Sequence, residues 1–504
     1  MTAPVRGPHT MSHIDPSLDA AALQTLRWIG APPDNWVSPH PGIDHDVTVV
    51  GSGHTGSTFA FALQRAGIRK LHVVDAAADE AGAGLWRHRA RMQQLRTPKN
   101  LVGPELGLPA LGFQAWYEAR HGEAAFAALD RIPRLEWPLY LSWFREITGL
   151  QVRYQTRLLR IEPVPAQGLV PEHLRLHLEV AGQPRTETTR KLILGNGVAG
   201  SGAPNIPAVV AGLPRKLWAH TSDLIDFNAL RNRRVAVIGG AASAFDAAGV
   251  ALEQGAAEVR LFARREHLAA LPVLRARGYP GAYDNYPLLP DAVRWTQALR
   301  YQQAGSTAPA DSIQRVLKHP QFHLHLGVTW QAAHAHEGQV RAEVGGERFD
   351  FDYVIAGTGF HADLALRPEL ASLAPLAAQW RDRYQPPAHE RHEGLASHPY
   401  LGLGSELQEK VAGTAPWLQH IHIYNPGGFV SSGLPLGDVP SLRRDVPRVV
   451  RHISQSLFLS DWPLHEQRFN APVPPDFTEA LYAHALWQGP ETTTAATELA
   501  TAQA

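Results

Sequence analysis

The sequence predicts an α/β protein built around parallel sheets. Two strand–glycine turn–helix–strand units, starting near Asp46 and Arg234, carry that expectation. So do the short β-branched runs leading into each turn, which have the continuous apolar character of strands buried on both faces. At 504 residues and 44% apolar composition, the chain is long enough for two or three domains, or for one large core with a nested insert.

Residues 1–16 are expected to form a flexible tail. Leu18, Leu23, Leu26 and Trp28 then predict a short amphipathic helix ending near Gly30. Pro32, Pro33, Pro39 and Pro41 follow as a linker. At the other end, the small, polar stretch from Gly489 onward predicts disorder. The N-terminus has no basic run followed by an apolar one, so no secretory signal is expected. No stretch of about 18–20 apolar residues offers a membrane span. Lys plus Arg and Asp plus Glu balance at 47 each, which removes any global electrostatic case for nucleic acid or an anionic membrane. The expected location is the cytoplasm.

Two residue types narrow the chemistry. The chain has no Cys, which excludes reductases that work through a redox-active Cys pair. Its 26 His are scattered, without an HExxH or Cys/His pattern, and no metal site is expected.

In the first unit the strand Asp46–Val50 runs directly into Gly51-Ser-Gly53-His54-Thr55-Gly56. A helix is expected over Ser57–Ala66, closed by Gly67, then a strand Leu71–Val74 ending on Asp75. Gly51 permits the tight turn, Gly53 lets the backbone approach a pyrophosphate, and Gly56 lets helix and strand pack closely. The helix N-terminus, with His54 and Thr55 beside it, offers free N–H groups to phosphate. Asp75, 24 residues beyond Gly51, is placed to accept from ribose hydroxyls.

The second unit runs from Arg234–Ile238 into Gly239-Gly-Ala241-Ala-Ser243-Ala244, a helix to about Glu253, and a strand Glu258–Phe262. Its glycine pattern is relaxed to Gly-x-Ala-x-x-Ala, which is expected to widen the turn slightly. Its second strand leads to Arg264 and Arg265 in place of an acid. A carboxylate there would repel a 2′-phosphate, whereas an arginine can pair with it. The site is therefore expected to prefer NADPH over NADH, with Arg264 the foremost contact and Arg265 its backup.

Further marks follow in order: Gly84-Leu-Trp86, Leu95-Arg96-Thr-Pro-Lys99, Gln155-Thr-Arg-Leu158, the strand Leu192–Val198 containing Gly197, Pro204-Asn-Ile-Pro207, His220-Thr-Ser222, Ser243-Ala244 with Asp246, and Asp352–Phe360 containing Gly357-Thr358-Gly359. Over residues 45–360 this series resembles the class B, or single-component, flavin-dependent monooxygenases. These comprise flavin-containing monooxygenases, microbial N-hydroxylases and the related Baeyer–Villiger monooxygenases. The resemblance implies two Rossmann-like dinucleotide-binding domains, one for FAD and one for NADPH, with the NADPH domain inserted into the FAD domain. The implied division is 1–43 tail and helix, 44–214 and 341–487 FAD domain, 215–340 NADPH domain, and 488–504 tail. Trp86 is implied beside the flavin, the Leu158 backbone at the adenine, and Gly197, Gly357, Thr358 and Gly359 close to the cofactors. The glycine-rich segment Asn425–Asp438, entering a helix through Val449, is implied at the flavin pyrimidine edge.

The implied reaction takes O₂ and a small organic substrate. NADPH reduces the flavin, a C4a-(hydro)peroxyflavin forms, and one oxygen atom passes to substrate. Two departures bear on the subtype. Of the Baeyer–Villiger fingerprint only His220 remains, and Arg96 stands where flavin-containing monooxygenases carry an active-site Asn. Arg96 is expected either to stabilise charge on the reduced flavin or to form a structural ion pair; His220 either to meet the cofactor or to cap a loop. The aromatic stretch Tyr279–Trp295 is expected either at the substrate or on the surface. N- or S-oxygenation is the favoured reaction. Baeyer–Villiger oxidation of a ketone is one alternative; a non-oxygenating NADPH-dependent reductase or redox sensor is another. The oligomeric state, homo-oligomer included, stays open.

Overall fold

The computed structural model describes residues 16–489, so the expected terminal tails lie almost wholly outside the described residues. Helix α1 (Pro16–Trp28) buries Leu18 and Ala22. Strand β1 (His45–Val50) follows the proline-rich linker, then helix α2 (His54–Arg65) and strand β2 (Leu71–Val74). An antiparallel meander of β3 (Thr156–Val164), β4 (His173–Val180) and β5 (Gln183–Leu194) joins them in one sheet. The order across the first sheet is β2-β1-β5-β4-β3.

Strand β5 explains how one sheet mixes two patterns. Its first four residues are exposed and pair antiparallel with β4. Its last six are all buried and pair parallel with β1. Burial sets in where the strand passes from the meander to the centre of the sheet, and the sequence turns apolar over Leu192, Ile193 and Leu194.

The chain then leaves this sheet and builds a second one. Strands β6 (Trp218–His220) and β7 (Arg234–Ile238), helix α3 (Ala242–Glu253) and strand β8 (Glu258–Ala263) come first. Helix α4 (Asp291–Ala304) and strands β9 (Phe322–Leu326) and β10 (Tyr353–Ala356) complete it. The order is β9-β8-β7-β10-β6, all parallel. The expected boundary at residue 341 falls inside an antiparallel strand, Gln339–Val344, and β10 still belongs to the second sheet. After a short helical turn, α5 (Glu393–Ala396), strand β11 (Ile421–Ile423) returns to pair parallel with the end of β5. Helix α6 (Val439–Ser460) then packs on the first sheet, burying Leu442, Val446, Val449 and Ile453.

The described residues from Asp461 form a separate unit, with one α-helix, α7 (Trp462–Phe469). No helix among the described residues is long and apolar enough to cross a membrane.

Candidate active site

At the first turn, α2 begins at His54, three residues earlier than the spacing suggests, so His54, Thr55 and Gly56 are already helical. Gly53 is its N-cap, in extended conformation and with no side-chain cap. The glycines are there for space. A Cβ on Gly56 would lie 1.8 Å from the Gly51 carbonyl oxygen, and one on Gly51 (φ +100°) 2.6 Å from that of Gly195. At Gly53 nothing lies within 4 Å. The helix N-terminus therefore opens on free space with its N–H groups unclaimed by a cap, a cradle that fits a pyrophosphate.

Asp75 serves the turn itself. Its Oδ2 accepts from the Ser52 amide and hydroxyl, both at 2.8 Å, and its Oδ1 from the Ala77 amide at 2.9 Å. The buried Arg145, 93 residues away, donates to the Ser52 carbonyl at 3.2 Å. His54 Nε2 donates to the Gly437 carbonyl at 2.8 Å, tying α2 to the loop before α6. Its Nδ1 is buried without a hydrogen-bond partner, and burial lowers the ring's pKa. The half-buried Trp86 ring lies 5.8 Å from it. Leu158 turns its side chain into the core beside a register shift between residues 158 and 160. Gly197 (φ +66°) is open on its Cβ side.

Asp438, in the loop before α6, accepts from the Ser441 amide at 2.9 Å. Burial pushes its carboxyl up to about 6.

In the second turn a Cβ on Gly239 (φ +134°) would lie 2.2 Å from the Gly357 carbonyl oxygen. Ala244 replaces the third glycine, and Gly357, just past the neighbouring strand β10, makes room for it: a Cβ on Gly357 would sit 2.7 Å from that of Ala244. Ala241 is the N-cap of α3, again with no side-chain cap, and Ser243 is exposed in the first turn. The two arginines part company. Arg265 donates to the carbonyls of Gln303 (2.8 Å) and Gln302 (3.2 Å) at the C-terminal end of α4. Arg264 is exposed on the cleft with no hydrogen-bond or ion-pair partner among the described residues. Thr358 donates its hydroxyl to the Asn205 carbonyl, and the Gly359 carbonyl accepts from the Asn205 amide at 2.9 Å.

A cleft of about 1020 Å³ runs from this turn to Arg96. No Asp or Glu is among the described residues that line it. Arg96 Nη2 lies 3.2 Å from Asp246 Oδ2 on α3, so the side chain is paired across to the second sheet's helix. Asp246 also accepts from the Ser312 hydroxyl at 2.7 Å. His220 hydrogen-bonds Ser222 through Nδ1 (2.7 Å to Oγ) and packs edge-on to Phe360, 5.3 Å between ring centres. It caps its loop and is not among the residues lining the cleft. In the aromatic stretch, Tyr286 and Trp295 are core residues, while Tyr279 is exposed. Tyr301, one helical face further on, does line the cleft, as do His392 and His398. No motif announced these three.

His45, His72 and Glu187 also bring their ligand atoms within 4.8 Å of one another. Glu187 is already held by Arg153 (2.7 and 3.0 Å) and by Arg185 (2.7 Å). Two guanidiniums on one carboxylate oppose a further cation, and the group reads as a polar network.

Sequence comparison matches residues 123–273 to the L-lysine 6-monooxygenase/L-ornithine 5-monooxygenase family. The FAD-dependent urate hydroxylase of Xanthomonas campestris pv. campestris is 39% identical over 445 residues, 87% of this chain and 91% of that protein. The L-ornithine N(5)-monooxygenase of Burkholderia cepacia is 38% identical over 162 residues, 30% of this chain and 33% of that protein. Among solved structures, the ornithine hydroxylase of Pseudomonas aeruginosa superposes with a TM-score of 0.62 at 21% identity, covering 82% of this chain and 99% of that one.

Proposed function

Because the chain belongs to the class B flavin-dependent monooxygenases and works with FAD and NADPH, we propose that it hydroxylates urate, or a close oxidised-purine relative, at carbon. The extent of similarity to a urate hydroxylase supports this reading. So does the part of the cleft lining not given to NADPH, where Arg96, Tyr301, His392 and His398 stand with no Asp or Glu among the described lining residues, the observation that carries it. Urate is an anion at neutral pH, and an acid-free wall bearing arginine and histidine suits it. A diamine or ammonium substrate would enter that wall unpaired, at a desolvation cost with no compensating partner.

In this reading the open face at Gly53 and the start of α2 hold the FAD pyrophosphate, with Thr55 and Gly56 in the same turn. Asp75 keeps that turn in shape and offers a ribose its remaining acceptor capacity. Trp86, the Leu158 backbone and Gly197 border the rest of FAD. The α3 N-terminus, with Gly239, Ala241, Ser243 and Ala244, receives the NADPH pyrophosphate. Arg264 meets the 2′-phosphate, and Gly357, Thr358 and Gly359 lie between the two cofactors. FAD belongs to the first sheet and NADPH to the second, from about Trp218 to Ala356. Reduced flavin supplies the oxygen-activating chemistry when bound. The chain's own task is to hold the cofactors in register and keep water from the reacting atoms. Arg96, held by Asp246, adds positive charge to the cleft, and His220 acts through its loop.

N-oxygenation of an amine is the second reading, favoured by the match at residues 123–273. A panel of urate, ornithine, lysine and a cyclic ketone separates the readings, with NADPH loss, peroxide and product measured together. Urate is expected to accelerate NADPH oxidation and yield a product carrying one added oxygen atom. Coupled turnover of an amino acid, or electrons recovered wholly as peroxide with urate present, would overturn the urate reading.

A further inference from the structure

Two histidines stand on the cleft wall at either end of α5, a single turn of four residues. His392 is its N-cap, and Nδ1 accepts from the Leu395 amide at 3.2 Å. An amide N–H can only donate, so this nitrogen carries no proton, and in the neutral ring Nε2 carries it. His398, just past the turn, is buried, with Nδ1 2.7 Å from the Gly427 carbonyl. A carbonyl can only accept, so here Nδ1 carries the proton and Nε2 holds a lone pair. His398 Nε2 has no partner within the chain, yet it is not among the sealed, unpartnered atoms. In a residue that lines the cleft, that lone pair is open to an incoming molecule. Burial holds the ring down to about 4, so it stays unprotonated at neutral pH. Gly394 between the two leaves room for the first ring: a Cβ there would lie 3.1 Å from His392 Cε1.

The backbone thus fixes one imidazole as a donor and the other as an acceptor. We propose that His392 and His398 form a recognition site for a planar ring bearing both N–H and C=O on its edges, a cyclic ureide or lactam. His392 Nε2 donates to a ring carbonyl, and His398 Nε2 accepts from a ring N–H. The assignment deepens the urate reading and rests on it for the ring's identity. It excludes rings whose contacting nitrogen is alkylated, because a methyl group would both clash and leave the His398 lone pair unpaired.

The test is calorimetric titration of the oxidised holoenzyme with urate and with each of its singly N-methylated forms, without NADPH. At least one methylated form is expected to bind the wild-type protein about tenfold or more weakly than urate, the scale of one lost hydrogen bond of this kind. His398→Asn can keep an N–H toward the Gly427 carbonyl, but its shorter side chain cannot place its amide oxygen where Nε2 stands, so the acceptor is withdrawn from that point. It should weaken urate about tenfold and bring the methylated form to within about twofold of urate. Gly394→Ala, which crowds His392, should weaken both ligands alike. FAD content and melting temperature check the fold of each variant, and His398→Ala, which carries no acceptor, serves if His398→Asn fails that check. An unchanged urate-to-methylurate ratio in the His398 variants overturns the site. Wild-type protein that binds none of urate, xanthine and uracil overturns it too. Urate that binds with this discrimination but is never oxygenated leaves the site standing and removes the urate-hydroxylation reading.

Discussion

Arg264 and Arg265 are identical side chains one bond apart in sequence, and their surroundings give them different work. Arg265 spends its guanidinium on the last carbonyls of α4, where the helix's negative end favours a cation. Arg264 has no such partner and faces the cleft. Only a group still free can discriminate a 2′-phosphate. Arg264→Ala is therefore expected to raise the KM for NADPH about tenfold or more while changing that for NADH less than about threefold. Steady-state kinetics with both nucleotides reads the difference, and equal effects would remove Arg264 from the phosphate. Arg265→Ala should instead lower the melting temperature slightly and leave the cofactor preference intact. The preference for an arginine, with Arg264 ahead of Arg265, was readable from the end of the strand; what engages Arg265 was not, because the C-terminal end of α4 lies 37 residues further on.

The two turns are the same device built with different residues. In the first, Gly56 lies against the Gly51 carbonyl; in the second, a methyl at Ala244 is accommodated by the bare Cα of Gly357 across the sheet. The pair makes a reciprocal prediction. Gly357→Ala should destabilise the protein by about 1–3 kcal/mol through overpacking, and Ala244→Gly in the same chain should restore only part of it, because the backbone of residue 244 (Cα 2.9 Å, N 3.2 Å) still crowds the new methyl and glycine costs the helix about 1 kcal/mol. Thermal melts of the two single variants and the double variant measure the coupling. Additive losses would mean that the contact is not shared. The strands and the turns themselves were legible, since short-range spacing dictates them. The start of α2 was misplaced by three residues because the last glycine of the motif sits inside the first helical turn, with no boundary signal of its own.

The chain's excursion from the first sheet and its return through β11 leave a buried polar seam where distant segments meet. Lys191 on β5 donates to Ser456 Oγ on α6 at 2.6 Å and contacts His420 Nδ1 at 2.8 Å. Burial pushes this ammonium down to about 7, with the nearby Arg190 adding to the effect. Its folded pKa lies below the ordinary lysine value, so from about pH 7 to about pH 10 the unfolded chain binds a proton that the folded chain does not. Stability should therefore rise with pH across that window, by up to about 1.4 kcal/mol per unit from this group. Lys191→Met removes the slope and should be neutral or stabilising near pH 7. Melting temperatures of both proteins at about pH 7 and about pH 9 test this; parallel shifts in the two would show that Lys191 is not the source.

The α/β class, both nucleotide turns and the family resemblance were all present in local spacing, because tight turns, parallel-strand burial and helix starts depend on residues a few positions apart. Which residue faces which was decided by packing between segments far apart in the chain. Asp75 closes on Ser52, Arg96 pairs with Asp246, His220 caps its own loop, and His392 and His398 reach the cleft through contacts that only the folded backbone supplies. Hydrogen-bond direction at an imidazole depends on the partner it meets, and that partner is set by tertiary structure.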